Sequence, residues 1–384
     1  MATAEEVFKG TVDFVESFDN AQPYPTYHTL QEEWHKSLET EFPWDEIEVA
    51  ALTATEVALD GVTALFSLFM DASKSKGWSE KTPEERLAHI HDITSRPNVP
   101  QRSAEWYQQS KNVLTASEFS AILGTPRSVG QCALKKVVQS LDELVLAPSS
   151  KLACSTLEMS AMDWGVRFEP VVKQILTGIW GAEILDVGRL LHPTDSQLAA
   201  SPDGLIVAAA DSDRVGRLVE IKCPVRREMN GKIPFEYWCQ MQIQMEVTGI
   251  DECEYIEVKL VSPYKESLAT YVPAKEGLGS LYFGKVWLIQ EPNTLELKYA
   301  YTSLECKDFE NLGWNVIEVI PWHLDSFYTK TVTRDRLWYA STEEKRVEFW
   351  KKVEEARAGT FILAPSARAP KLPQVTVCKI MDNI

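Results

Sequence analysis

The sequence predicts an α/β (α+β) fold preceded by an acidic helical region. Three observations carry that reading. Trp164, Phe168, Val172 (or Val171), Ile175 and Ile179 recur at helical spacing. Two apolar runs, 205–210 and 218–221, are joined by Asp211, Ser212, Asp213 and Gly216, which read as the turn of a hairpin. Residues 254–261 alternate, with Ile256, Val258 and Leu260 on one face, as a strand in a half-covered sheet does.

Residues 1–100 form the acidic region. The segments 5–18 and 45–69 carry helix-period apolar positions, with a turn at Pro23 and Pro25 between them. Thr82, Pro83, Glu84 and Glu85 start a further helix: a capping hydroxyl, proline at N1 and acids in the first turn. His89 and His91 point apart on such a helix and read as a solvated face. Nothing here has a catalytic pattern, so the region reads as an accessory or interaction unit ending near Pro97–Pro100.

Residues 101–270 carry the chemistry. The stretch 113–124 reads as one capped helix ended by Gly124, with Thr115 or Ser117 at its N-terminus. A hydroxyl-bearing helix start can receive a phosphate, although plain capping is the simpler account. On the 162–176 helix Glu169 lies beside the apolar stripe, where a half-buried glutamate needs a cation or a donor. A strand over 183–187 leads to the hairpin, headed by Ser201-Pro202-Asp203-Gly204. On its second strand Glu220 and Lys222 share one face, Val219 and Ile221 the other. Two acids and a lysine on a mostly buried hairpin are costly unless paired. A salt bridge between Lys222 and Glu220 meets that need; so does a divalent cation with oxygen ligands, Mg²⁺ or Mn²⁺. Next, 234–249 reads as a helix with Pro234 at its start and Gly249 at its end. Gln240 and Gln244 stand one turn apart on it, facing water, backbone or phosphate.

Residues 271–360 add strands near 285–289, 295–301 and 315–320 and a helix over 342–358, and 361–384 reads as an irregular tail. Lys330, Arg334, Arg336 and the 345–352 group suit a polyanion or a solvated face equally.

No apolar run reaches the roughly 18 residues of a membrane span, and no signal peptide is visible, so neither membrane nor secretion is expected. Seven cysteines, none in C-x-x-C spacing, argue for a reducing intracellular compartment, cytoplasm or nucleus. The net charge of −17 is concentrated at the start: residues 1–100 hold 7 basic and 19 acidic side chains, while residues 261–384 balance. Bulk acidity therefore does not exclude a nucleic-acid partner.

Five ordered blocks complete the reading: Trp106 with Thr115-Ala-Ser-Glu118, Trp164-Gly-x-x-Phe-Glu169, Ser201-Pro-Asp-Gly-Leu205, Glu220-Ile-Lys-Cys-Pro224 and Tyr237-x-x-Gln240-x-Gln242. Together they resemble the lambda-phage exonuclease and YqaJ-type viral recombinase group of the PD-(D/E)xK nucleases. The resemblance implies a restriction-endonuclease-like core, a central mixed sheet flanked by helices, and a Mg²⁺-dependent deoxyribonuclease. The activity implied is a 5′→3′ exonuclease on linear duplex ends, serving recombination or repair. The alternatives are a DNA-binding recombination partner with an unused core, or an endonuclease on the same core.

Carried over, the resemblance assigns Asp203, Glu220 and the Ile221 carbonyl to the metal, with Glu169 completing the acidic cluster. Lys222 would position the attacking water, Gln240 would support that water or the scissile phosphate, and Ser117 would touch a 5′ phosphate. Lys111, Gln242 and Gln244 are further expected substrate contacts. One position departs from the pattern. Where the phage enzymes carry arginine four residues after the tryptophan, this chain has Ser110, followed by Lys111. A single-strand annealing protein and further copies of the chain are the other expected partners.

Overall fold

Helix formation around the core follows local signals closely. The computed structural model describes residues 81–100, 103–137, 153–268, 282–292, 296–301 and 306–365. The expected helices over 5–18 and 45–69, and the tail beyond 365, lie outside them. Helix α1 (Pro83–Ser95) is opened by a Thr82–Glu85 capping box with Pro83 in its first turn. Short helices α2 (Ala104–Gln109) and α3 (Phe119–Ile122) flank strand β1 (Leu114–Thr115) and a 3₁₀ turn over Ala116–Glu118. Thr125 caps α4 (Pro126–Lys135). The long α5 (Ala161–Trp180) starts at a Ser160–Asp163 capping box and ends at Gly181, whose φ of 55° needs a residue without a Cβ.

Strands β2 (Glu183–Leu185), β3 (Leu190–Leu191), β4 (Leu198–Ala200), β5 (Gly204–Ala208) and β6 (Leu218–Lys222) follow, then α6 (Phe235–Thr248), closed by Gly249 at φ 76°. Strands β7 (Glu252–Val261), β8 (Phe283–Gln290) and β9 (Leu297–Ala300), helix α7 (Cys306–Asn311), β10 (Asn315–Thr333), α8 (Arg336–Ser341) and α9 (Glu343–Arg357) complete the described chain. The chain divides into two compact units, and α8 groups with residues before 77. Of that unit only this six-residue helix is described; the sheets and the other helices belong to the second unit.

The seven-stranded sheet runs β2-β5-β6-β7-β10-β8-β9, mixed because β6 and β7 are parallel while every other pair is antiparallel. The β6–α6–β7 crossover explains the one parallel pair, since parallel neighbours need a long connection. Strand β10 pairs β8 with its first half and β7 with its second, bending at irregularities near Val316/Glu318 and Leu324/Ser326. A small sheet, β1-β4-β3, stands apart from it.

Alternation then sorts the two faces. Val219 and Ile221 of β6 and Ile256, Val258 and Leu260 of β7 pack with Trp164, Phe168, Val171, Val172 and Ile175 of α5, all buried, in one core cluster. Each such fully buried side chain contributes on the order of 1.5–3 kcal/mol, so this face anchors the sheet. The opposite face of β6, bearing Glu220 and Lys222, meets α6.

Three expectations change. Residues 113–124 form no single helix, because Leu114 and Thr115 pair in parallel with Leu198 and Ala199. Gly124 keeps a negative φ and precedes a new cap at Thr125 instead of ending a helix in the left-handed region. His89 is half-buried, not solvated: its Nε2 lies 3.0 Å from the Thr248 carbonyl at the end of α6, and burial lowers its pKa. With Arg86 donating to the Ser212 carbonyl and Arg96 to Val247, α1 is fastened to the core, and the Pro97–Pro100 boundary falls inside this unit. The described cysteines 132, 154, 223, 239 and 253 are all free thiols. Among the described residues no helix is long and apolar enough to cross a membrane.

Candidate active site

Strand β5 pairs with β6 only at Gly204–Val219 and Leu205–Leu218. Beyond that point the chain turns away, leaving the β6 backbone without a strand partner on that edge. Asp203 supplies one: its Oδ2 accepts the Ile221 N–H at 2.7 Å, while its own N–H donates to the Val219 carbonyl at 3.1 Å. In a strand the N–H and C=O of one residue face the same edge, so the Ile221 carbonyl faces Asp203 as well. The turn before β5 thus brings a carboxylate and a carbonyl together.

Glu220, two residues before Lys222, is fully buried. Its carboxylate pairs with the Lys222 ammonium and accepts Gln244 Nε2 at 2.6 Å. Lys222 Nζ also donates to Gln240 Oε1 at 3.3 Å and lies 4.6 Å from the Tyr237 ring centroid. One helix, α6, therefore reads both charged residues of β6 with side chains one turn apart. Glu169, half-buried on α5, bonds Lys173 at 2.8 Å, and Lys173 reaches Asp186 at 2.6 Å. A cleft of about 380 Å³ opens beside these groups, lined by Glu169, Asp186, Pro202 and Asp203 together with Asn98 and Gly188.

The electrostatics report convergence. Burial, then the charges of Glu220 and Glu169, push the Asp203 carboxyl well above the usual range, against the opposing pull of Lys222 and the Ile221 N–H. Burial alone would lower the Lys222 pKa, but Glu220 and Asp203 beside it hold the ammonium protonated above its ordinary range. The Cys223 thiol is pushed up by burial and then by Glu169 and Asp203 together. Glu169, Glu220 and Lys222 thus all bear on Asp203.

The donor set suits a hard divalent cation: three carboxylates and a backbone carbonyl. Both oxygens of the buried Glu220 carboxylate are engaged, Oε1 by the Lys222 ammonium and Oε2 by Gln244, so a cation would take the place of the ammonium at Oε1. Among the described residues no three acidic, histidine or cysteine side chains are already gathered around one point. Glu220 and Glu169 are instead turned to Lys222 and Lys173, so ion binding requires them to exchange those partners.

The remaining expected site residues fall elsewhere. Ser117 is exposed on the 3₁₀ turn that packs against α6, its Oγ 3.4 Å from Thr115 Oγ1, and no hydrogen bond links it to the acidic cluster. Lys111 is half-buried after α2, and its carbonyl accepts Arg357 Nη2. Gln242 is engaged by backbone: Nε2 donates to the Thr333 carbonyl at 2.8 Å and Oε1 accepts the Asp335 N–H at 2.6 Å. Three residues escaped the sequence reading. Lys173 was open to it, since an i+4 lysine after Glu169 is a helix-face pair. Asp186 and Arg189 had no local signal. Arg189, 2% exposed, donates Nη1 to Ser110 Oγ at 2.9 Å and stacks 3.9 Å from the Trp106 ring centroid.

The hairpin, crossover helix and parallel strand, with acid, acid and lysine at one end, form a mixed α/β core, the fold class that the five sequence blocks imply. Within that class, residues 105–251 match the YqaJ-like viral recombinase domain family. An uncharacterized protein of Acanthamoeba polyphaga mimivirus is 28% identical over 186 residues, which is 46% of this chain and 32% of that protein. The match thus spans about a third of the relative's length. The crystal structure of an alkaline exonuclease from Laribacter hongkongensis is 20% identical with a TM-score of 0.36, covering 67% of this chain and 95% of that one. The same enzyme in complex with dAMP gives 20% and 0.35.

Proposed function

We propose that the chain is a Mg²⁺- or Mn²⁺-dependent DNA exonuclease, acting 5′→3′ on linear duplex ends in recombination or repair. The observation that supports it best is the Asp203 carboxylate. It is bonded to the Ile221 N–H, beside a carbonyl, and is raised in pKa by burial and then by Glu220 and Glu169. A fold gains nothing from crowding acids in a half-dry site, whereas a phosphodiester hydrolase needs them. The YqaJ-like domain over 105–251 supports the same class.

Asp203, Glu220, Glu169 and the Ile221 carbonyl would hold the cation. When bound, it supplies Lewis-acid chemistry, acidifying water and offsetting phosphate charge. The chain's own residues do the rest. Lys222, kept protonated by its acidic neighbours, faces the attacking water and the charge that develops on the phosphate. Gln240 holds the ammonium through Oε1, and Gln244 fixes the Glu220 carboxylate through Oε2, leaving Oε1 to the Lys222 ammonium or to the cation that would replace it. Ser117 and Lys111 would meet the strand end. A single-strand annealing protein would take the strand left behind.

End-labelled linear duplex incubated with Mg²⁺ should lose nucleotides progressively from the 5′ end, with covalently closed circles left intact. Alanine at 203, 220 or 222 should abolish that loss. Undiminished digestion by these variants would remove the reading, and cleavage of circles would make the activity endonucleolytic.

A further inference from the structure

A second cation shares the aromatic ring beside Lys222. Register places Lys222 opposite Glu257 of β7, so both side chains stand on the sheet face that meets α6. Glu257 is 1% exposed and needs a counter-charge. Arg227, from the loop after β6, supplies it through Nη2, which also lies 3.5 Å from the Tyr255 hydroxyl. That hydroxyl in turn donates to Glu257 at 3.4 Å. The Tyr237 ring, in the first turn of α6, has Lys222 Nζ 4.6 Å and Arg227 Cζ 5.3 Å from its centroid, and it stacks on Tyr255 at 6.4 Å.

Neutralising Glu257 uses one nitrogen of the guanidinium. Nε and Nη1 take no hydrogen-bond partner among the described residues, and the side chain is 37% exposed. An arginine whose head is fixed through Nη2 by a buried acid and packed on a ring keeps single donors at Nε and Nη1, on different edges of the guanidinium. Either donor can meet one phosphate oxygen in a charge-assisted bond, and the charge does not depend on pH. Because Lys222 and Arg227 contact the same ring, one strand's successive phosphates can meet both cations.

We propose that Arg227 binds a backbone phosphate of the substrate strand next to the phosphate at Lys222, with Glu257 and Tyr237 as its positioning residues. This rests on the nuclease reading above and extends it to how the strand is held. Contact with the backbone alone makes the interaction independent of base sequence.

The test uses the full chain and linear duplex DNA, with binding read by fluorescence anisotropy over a salt series in a D203N background. R227A should weaken binding about tenfold and reduce the slope of log K against log salt by about one. R227K should keep the slope while recovering only part of the affinity, because a compact ammonium cannot hold Glu257 and a phosphate from different edges of one planar group. In the active chain R227A should raise KM more than it lowers kcat. Since R227A strands a buried acid, R227A/E257Q repeats each measurement with that position neutral. An unchanged salt slope in the double variant overturns the proposal and leaves Arg227 as a structural counter-ion. A wild-type chain that binds DNA with the Arg227-dependent slope yet releases no nucleotide sinks the nuclease reading and leaves the phosphate contact standing. A chain that binds no DNA overturns both.

Discussion

The Asp203 carboxylate takes the place of a strand: it accepts the Ile221 N–H at 2.7 Å where β5 has already left the ladder. That bond holds the acid in position against burial and two like charges, both of which raise its pKa. A carboxyl whose pKa rises on folding destabilises the fold once pH exceeds its unfolded value of about 3.9. D203N keeps the acceptor for Ile221 and removes the charge. It should therefore abolish metal-dependent cleavage yet raise stability at pH 8 without metal. The gain should vanish below about pH 4, where both proteins are neutral at this position. Urea denaturation in EDTA across pH reads it; a D203N protein less stable than wild type at pH 8 contradicts the argument.

Two glutamines on α6 should separate by phenotype. Gln244 is fully buried and bonds Glu220 at 2.6 Å, so Q244A leaves a buried carboxylate oxygen without its donor. Its cost should be about 1–3 kcal/mol, accompanied by a large fall in kcat. Gln242 spends both amide atoms on Thr333 and Asp335. Q242A should lose comparable stability with kcat per folded molecule unchanged. Equal loss of turnover in the two variants would mean that Gln242 acts on substrate after all.

Much of this site was legible because its residues sit on one period. Glu220 and Lys222 are two apart on a strand, and the glutamine helix has its own start and stop, Pro234 and Gly249. The helix also shows where reading by pattern stops. Gln240, Gln242 and Gln244 look alike in sequence, but at about 100° per residue position 242 points away from the other two. The stretch 113–124 carried convincing helix signals, yet tertiary pairing of Leu114 and Thr115 with β4 overrode them. Arg189 and Asp186 lie in connections whose neighbours are set only by the fold. No spacing rule links Arg189 to Ser110, though the two are bonded at 2.9 Å.

That last pair bears on the choice of DNA end. Ser110 stands where the related phage pattern has arginine, and the guanidinium near it, Arg189, is buried and committed to Ser110 Oγ and the Trp106 carbonyl. Burial lowers its pKa to about 10, so it stays charged at neutral pH without being offered to solvent. A charge-assisted contact to a terminal phosphate is worth about 1.5–3 kcal/mol, more than tenfold in affinity. Unless Lys111 makes that contact at the strand end, 5′-phosphate and 5′-hydroxyl duplexes should be degraded at rates within about threefold of each other. A preference beyond tenfold, lost in K111A, would assign that contact to Lys111 instead.

The junction between α6 and β10 gives a pH dependence that owes nothing to catalysis. Arg334 bonds Glu246 through Nε at 2.9 Å and Nη2 at 2.6 Å, and His192 Nε2 stands 3.6 Å from the same carboxylate. Burial by itself would raise the Glu246 pKa, but His192 and Arg334 outweigh it and lower it. A depressed carboxylate pKa contributes stability that is present above the unfolded value, about 4.3, and is lost as pH falls through the folded one. E246Q should therefore cost about 1–3 kcal/mol near pH 7, where Arg334 keeps its charge and its ion pair with Asp251 but loses the one with Glu246. As pH falls through the lowered folded value, wild type and variant should converge, because Glu246 then takes up a proton and its bond to Arg334 is no longer ionic. Chemical denaturation at pH 3.5, 5 and 7 resolves the trend; a gap that stays constant across that range would show that packing, not charge, is what Glu246 contributes.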